Sequence, residues 1–144
     1  MSLAIISNQS TEYQQMIDLR NRLLRYPLGL ELTAEDLRKE VDDLFVVYIE
    51  NGVVSGCCVL TPINNEVIRL RQMAVDSSLQ GTGIGKKIIL FAEACVIARG
   101  YSLLRMHARL TALTFYEKLG YEAVGDLFTE VGIPHIEMQK VLTP

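Results

Sequence analysis

Residues 80–87 read Gln-Gly-Thr-Gly-Ile-Gly-Lys-Lys, with the three glycines set between a hydrophobic run ending at Val75 and an amphipathic run beginning near Gly83. A strand that turns into a helix through glycines exposes backbone N–H groups at the helix N-terminus. There the missing Cβ atoms let an anion approach and the helix dipole favours its charge. The placement predicts a phosphorylated ligand. Two other phosphate loops fail on spacing: a Walker A loop needs glycines five apart followed by Lys-Ser/Thr, and a dinucleotide fingerprint needs glycine where Lys86 stands. An isolated glycine cluster is also compatible with a plain strand-to-helix turn, so the flanking elements have to decide.

Those elements follow from periodicity and turn chemistry. Leu3 to Ser7 reads as a strand, and Thr11-x-x-Gln14 as a capping-box start of a helix reaching about Arg25, with Met16, Leu19, Leu23 and Leu24 on its apolar face. Tyr26-Pro27-Leu28-Gly29 interrupts it, and Thr33 with Asp36 opens a shorter helix ending near Asp43. Leu44 to Glu50 and Val53 to Leu60 flank Asn51-Gly52, a pair that tolerates the positive φ of a type I′ hairpin turn. A strand over Glu66 to Val75, a helix over Gly83 to Arg99, a strand over Tyr101 to Met106 and a helix over Leu110 to Leu119 come next. Strands over Tyr121 to Leu127 and His135 to Val141, joined by a loop with Gly132 and Pro134, close the chain. The order predicts an α/β (α+β) fold, one domain over residues 1–144, with a mixed, mainly antiparallel sheet and helices on both faces.

Composition excludes several function classes. No apolar stretch nears the roughly 20 residues needed to span a bilayer, and the N-terminus lacks the regions of a signal peptide, so a cytoplasmic protein is expected. The net charge of −3 without a basic run argues against nucleic-acid binding and favours a cationic small molecule. Cys57, Cys58 and Cys95 include no C-x-x-C pair, so neither a disulfide framework nor a metal site is expected.

Gln80, Gly83 and Gly85 fit a Q/R-x-x-G-x-G/A signature, and residues 112–121 fit an A-x-x-F-Y-E-K-L-G-F/Y helix. Through these motifs the chain resembles the GNAT superfamily of N-acetyltransferases. His107-Ala108 and the Gly132-to-Met138 segment resemble its ElaA-like branch. The resemblance implies a GNAT-like fold, acetyl-CoA as cofactor, and a pyrophosphate held by Gln80, Gly81, Thr82, Gly83, Ile84, Gly85 and Lys86. It also implies that the strand Met73-Ala74-Val75 bonds the pantetheine, and that Tyr116 protonates the departing thiolate, a transfer favoured when phenol and thiol pKa values lie close. A homodimer is plausible by the family's habit. The motifs cover residues 66–121, while the first 60 residues resemble the family only in element order.

The pattern departs at two positions. Arg109 stands where many members carry an asparagine seven residues before the tyrosine, and Arg69 where some carry a catalytic glutamate. The base therefore has to be sought in this chain. A protonated alkylamine is only about 1 part in 2500 neutral at pH 7, so a proton must be accepted. His135, beside a constrained Gly-Pro turn, is the catalytic candidate with Tyr116, and His107, Glu66 and Glu137 are further acceptors, each with an alternative as a structural hydrogen-bonding group. Adjacent Cys57 and Cys58 would face opposite sides of a strand, allowing a covalent acyl-cysteine route, although buried thiols usually act as small hydrophobes. Lys86 and Lys87 could contact phosphates or simply form a solvated face.

The resulting expectation is acetyl transfer to a primary amine of a small molecule or peptide by direct attack. A non-catalytic acyl-CoA-binding sensor would keep the loop without needing Tyr116 as a proton donor, and a nucleotide-binding protein would need the missing Walker residues.

Overall fold

A computed structural model describes residues 2–144. The elements are β1 (Ser2–Ile6), α1 (Thr11–Arg20), α2 (Ala34–Arg38), β2 (Leu44–Glu50), β3 (Val53–Pro62), β4 (Val67–Val75), α3 (Ile84–Ala98), β5 (Leu103–Arg109), α4 (Leu113–Lys118), β6 (Glu122–Ala123), β7 (Phe128–Glu130) and β8 (Ile133–Val141). The strands form one sheet in the order β1-β2-β3-β4-β5-β8-β6, with β7 also on β8. Every pairing is antiparallel except β4 with β5. The expected mixed, mainly antiparallel sheet is therefore present, with helices on both faces.

Alternation along each strand sorts side chains between two cores. On one face Leu60, Ile68, Leu70, Leu104 and Met106 pack against Ile84, Ile88, Ile89, Ala92 and Val96 of α3. Those α3 positions recur every three or four residues, the spacing of one helical face. Gly56 lets α3 sit close, because a Cβ there would lie 2.7 Å from the Ile88 side chain. On the opposite face Met16 and Leu19 of α1 cover Phe45, Val47, Val59 and Ala74. Cys58 faces the first core and Cys57 the second, as strand alternation requires.

Local chemistry moved several boundaries. Thr33 and Asp36 form a capping box, each side chain accepting from the other's backbone N–H, but α2 stops at Arg38. The box expected at Thr11 does not form: Ser10 is the N-cap, and Gln14 instead donates to Asp18 at 2.9 Å. The first helix reaches Arg25 only by widening to π geometry over Asn21–Arg25, with a 3-10 turn over Tyr26–Leu28. The Asn21 side-chain carbonyl accepts the Leu32 N–H at 2.8 Å, so the segment folds back onto its own start. β5 continues to Arg109, which places His107 and Arg109 within the strand. The strand expected over Tyr121 to Leu127 is reduced to Glu122–Ala123 because Gly125, at φ +87°, turns the chain. The segment expected as a loop before His135 is instead a tight hairpin, β7 to β8, turning on Val131 and Gly132, both with positive φ. Asn51 and Gly52 both take the expected positive φ. Among the described residues no helix is long and apolar enough to cross a membrane.

Two features of β4 create the site. A bulge shifts its register on β3 between Cys57 and Val59, with Gln72 at φ +55°. Its parallel pairing with β5 ends at Leu70 opposite Met106. Beyond that point the strands part, and the β4 edge facing β5 is unpaired.

Candidate functional site

The parting strands open a cavity of about 910 Å³ that runs from the glycine loop, past the unpaired edge of β4, to the β7–β8 hairpin. Its wall includes Met73, Ala74, Val75, Gln80, Gly81, Gly83, Gly85 and Lys86 from the expected cofactor set, together with Tyr116 and His135. Thr82 and Ile84 do not line it. The Thr82 hydroxyl turns inward to the Leu79 carbonyl, and Ile84 is buried against the sheet, so Ile84 has only its backbone N–H to offer.

The loop is a glycine turn into the N-terminus of α3. Gly81 and Gly83 adopt φ of +81° and +86°, which L side chains rarely take. Gly83 caps the 15-residue α3, and the first intrahelical bond of this turn runs from the Lys87 N–H to the Gly83 carbonyl. The N–H groups of Ile84, Gly85 and Lys86 precede it, beyond the reach of i−4 carbonyls within the helix. Gly85 fills a different need. A Cβ on it would lie 3.3 Å from the Phe115 ring and 3.6 Å from the Met73 side chain, so this glycine lets α3, α4 and β4 converge. Gln80 closes the loop by donating to the Val75 carbonyl at 3.2 Å.

Tyr116 enters from α4, edge-on to the rings of Phe115 and Tyr121. It is 6% exposed, and burial, helped by nearby Cys58, holds its phenol well above the ordinary value of 10. The close match between phenol and thiol pKa values expected from sequence is therefore absent. The phenol stays protonated across the working pH range and is a hydrogen-bond donor by default.

The far wall holds a cluster the sequence did not reveal. Glu130, on β7, places one carboxylate oxygen 3.2 Å from His107 Nδ1 and the other 3.7 Å from His135 Nε2. The Phe128 ring stacks on His135 and meets His107 edge-on. His135 Nδ1 lies 2.7 Å from the Ile133 carbonyl, which can only accept, so Nδ1 is the donor and, in the neutral imidazole, the lone pair is on Nε2. Of the other sequence candidates, His107 lines the cavity, whereas Glu66 and Glu137 do not. The missed signal was Val131-Gly132, a two-residue turn flanked by strand-like residues that puts Glu130 opposite Ile133 and Phe128 opposite His135.

The buried cysteines lie away from the cavity. Neither Cys57 nor Cys58 lines the cavity, and burial pushes the Cys57 thiol up to about 12 and Cys58 well above its usual value. The charge of the wall differs from that of the chain as a whole. Arg25, Arg69, Arg71, Lys86 and Arg109 line the cavity against Glu130 alone, so a preference for cations does not follow from the net charge, which sums the whole surface.

Comparison with known proteins fits this geometry. The family model described as "Acetyltransferase (GNAT) domain" matches residues 28–142. Over 72 residues the chain is 36% identical to a Bacillus subtilis (strain 168) protein named "Putative acetyltransferase", covering 50% of this chain and about half, 49%, of that relative's length. Over 113 residues it is 31% identical to the uncharacterised YyaT of the same strain, covering 78% of this chain and 75% of YyaT. Among solved structures, a Lactobacillus plantarum protein described as a "putative N-acetyltransferase" superposes with a TM-score of 0.86 at 25% identity, over 99% of this chain and 100% of that one. A GNAT family acetyltransferase of Elizabethkingia anophelis with acetyl-CoA bound superposes with a TM-score of 0.76 at 17% identity, over 98% and 97%. Escherichia coli ElaA superposes with a TM-score of 0.81 at 16% identity, over 96% and 98%, which shows the shared fold and does not single out its branch. The chain belongs to the GNAT acetyltransferase family.

Proposed function

We propose that the chain works as a single-domain N-acetyltransferase that moves an acetyl group from acetyl-CoA directly onto a primary amine of a small molecule or peptide. The observation that carries this reading is the meeting, on one cavity, of a helix N-terminus opened by glycines, an unpaired strand edge, a buried phenol and an imidazole–carboxylate pair. When bound, acetyl-CoA supplies the acetyl group as a thioester, whose C–S bond breaks as the C–N bond to the amine forms.

The chain's residues divide the remaining work. The N–H groups of Ile84, Gly85 and Lys86, with the Lys86 ammonium, hold the pyrophosphate. The free edge of β4 from Met73 to Val75 bonds the amide-bearing pantetheine arm as it would another strand. His135 Nε2 takes the proton that the acceptor must lose, directly or through one water, and Glu130 faces the imidazolium that results. The Tyr116 hydroxyl donates to the departing sulfur, which leaves as the thiol, and the proton taken up by His135 returns through solvent to the Tyr116 oxygen, so both side chains end as they began. Because that phenol is held high by burial, its contribution begins as a hydrogen bond to developing negative charge. The balance is one amine and one thioester converted to one amide and one thiol.

Calorimetric titration with acetyl-CoA and with ATP, followed by thiol release in the presence of an amine panel, tests the reading. Saturable acetyl-CoA binding and amine-dependent thiol release are expected. Binding of ATP in preference to acetyl-CoA would overturn it.

A further inference from the structure

We infer that the acceptor carries an anionic group close to its amine, and that Arg25 and Arg69 receive that group. This rests on the acetyl-transfer reading and names the class of acceptor for the same site.

Part of the sheet face on which α1 packs is left uncovered. Where α1 lies on β2, β3 and β4 the side chains are apolar, but along β4, β5 and β8 the same face carries Arg69, Arg71, His107, His135 and Glu137. The π-helical turn brings Arg25 over this region, and Arg25, Arg69 and Arg71 together also line a second cavity of about 510 Å³ that adjoins the first. The three arginines are not equivalent. Arg71 is matched by Glu40 at 3.1 Å and Asp43 at 3.7 Å. Arg25 makes no ion pair among the described residues, and Arg69 has only Glu137 at 3.8 Å, beyond hydrogen-bond length. The Nε atoms of both Arg25 and Arg69 are buried without a hydrogen-bond partner among the described residues. Both side chains remain partly exposed, Arg69 by 30%, so the guanidinium groups that carry these unmatched donors are open to an incoming anion.

The phosphates of the cofactor do not explain Arg69. Arg69 precedes Val75, where β4 enters the glycine loop, by six strand residues, roughly 20 Å of extended chain. Further along the face Glu130 sits between His107 and His135, with Arg109 opposite His135 in the β5–β8 register, while Glu137, opposite His107, reaches back to Arg69 at 3.8 Å. The groove thus offers the Arg25 and Arg69 guanidinium groups at one end and a single lining carboxylate, Glu130, held between two imidazoles at the other. An amine that also bears a carboxylate, as in an amino acid, fits it head to tail: carboxylate on Arg25 and Arg69, ammonium towards Glu130 and His135. A phosphorylated amine shares the anion chemistry. A polyamine would press a cation against the arginines.

The test compares kcat/KM for L-amino acids with small, apolar, acidic and basic side chains, each paired with its amide. O-phosphoethanolamine paired with ethanolamine, and spermidine, complete the panel. The free acids should exceed their amides by about tenfold or more, the scale of a charge-assisted hydrogen bond. Arg69→Gln should bring the ratio near unity, Arg69→Lys should keep part of it, and acetyl-CoA affinity by calorimetry should change in neither. A preference confined to O-phosphoethanolamine would support the anion site and assign it to phosphate. Amides or spermidine used as well as the free acids, an acid-to-amide ratio unaltered in Arg69→Gln, or acceptance of no anionic amine by protein that binds acetyl-CoA would each overturn the inference while leaving the transfer reading standing. Failure to bind acetyl-CoA at all would remove both.

Discussion

The Arg20 guanidinium meets the Glu40 carboxylate through two parallel hydrogen bonds, Nη1 to Oε1 at 2.9 Å and Nη2 to Oε2 at 2.7 Å, with both side chains shut off from solvent. Arg20 Nε also faces the Gln72 side chain at 3.3 Å, so the pair ties α1 and the turn after α2 to the bulge that shapes β4. Removing one partner of such a pair leaves a buried charge uncompensated, which costs about 3–5 kcal/mol. Glu40→Gln is therefore expected to lower unfolding free energy on that scale in urea denaturation. A loss below about 1 kcal/mol would mean that water reaches Arg20.

The glycine loop predicts separable effects of one added side chain. Gly83→Val forces a β-branched residue to φ near +86° at the cavity, whereas Gly100→Ala adds strain at φ +91° away from it. Both should cost about 1–2 kcal/mol of stability or more, the penalty of left-handed backbone. Only Gly83→Val should weaken acetyl-CoA binding, by at least about tenfold in Kd. Equal affinity in folded Gly83→Val, read by calorimetry, would detach the loop from the cofactor.

For Tyr116 the expected signature is kinetic. Tyr116→Phe keeps the ring packing and removes the hydroxyl, so acetyl-CoA affinity should hold while the transfer step slows by about 10² to 10⁴, the usual range for general acid catalysis. Pre-steady-state rates are the proper readout, because slow product release could mask the defect. The acid must be protonated to act and burial raises its pKa, so its loss of function lies above pH 10. A wild-type rate falling between pH 8 and 10 would have to come from another group.

Glu130→Gln keeps shape and hydrogen bonding but removes the charge facing both imidazoles. Turnover with saturating acetyl-CoA should drop by about 10- to 100-fold, the scale on which a charge-assisted contact of about 1.5–3 kcal/mol acts. Acetyl-CoA affinity should not change. Unaltered kcat/KM for the acceptor would leave Glu130 as a hairpin residue only.

Thiol reactivity separates direct transfer from an acyl-cysteine route. With its thiol near 12, Cys57 is about 1 part in 10⁴ thiolate at pH 8, and Cys58 is held up by the same burial. Cys95 is half-buried and its thiol is raised less far. Of the three cysteines, a disulfide reagent at pH 8 should titrate at most one in native protein and all three in guanidinium. Rapid native labelling of Cys57 or Cys58, protected by acetyl-CoA, would reopen the covalent route.

The sequence by itself determined the glycine loop, the strand before it and the helix after it, because steric freedom at Gly81 and Gly83 and a 3.6-residue apolar period are local properties of the chain. It determined the Asn51-Gly52 hairpin and the Thr33–Asp36 capping box for the same reason. The glycine and Tyr116 motifs carried the family resemblance, and with it the acetyl-CoA expectation.

Tertiary structure alone decided the acceptor side. Glu130 joins His107 across 23 residues of chain because β7 and β5 both pack beside β8, and nothing local to either residue encodes that meeting. The widening of the first helix at Asn21 was likewise hidden, since it depends on an Asn21 contact with Leu32. Local rules read which conformations a segment tolerates. Charge pairing and cavity walls depend on which distant segments the sheet brings side by side, and so the net charge of the chain did not reveal the arginine-rich groove.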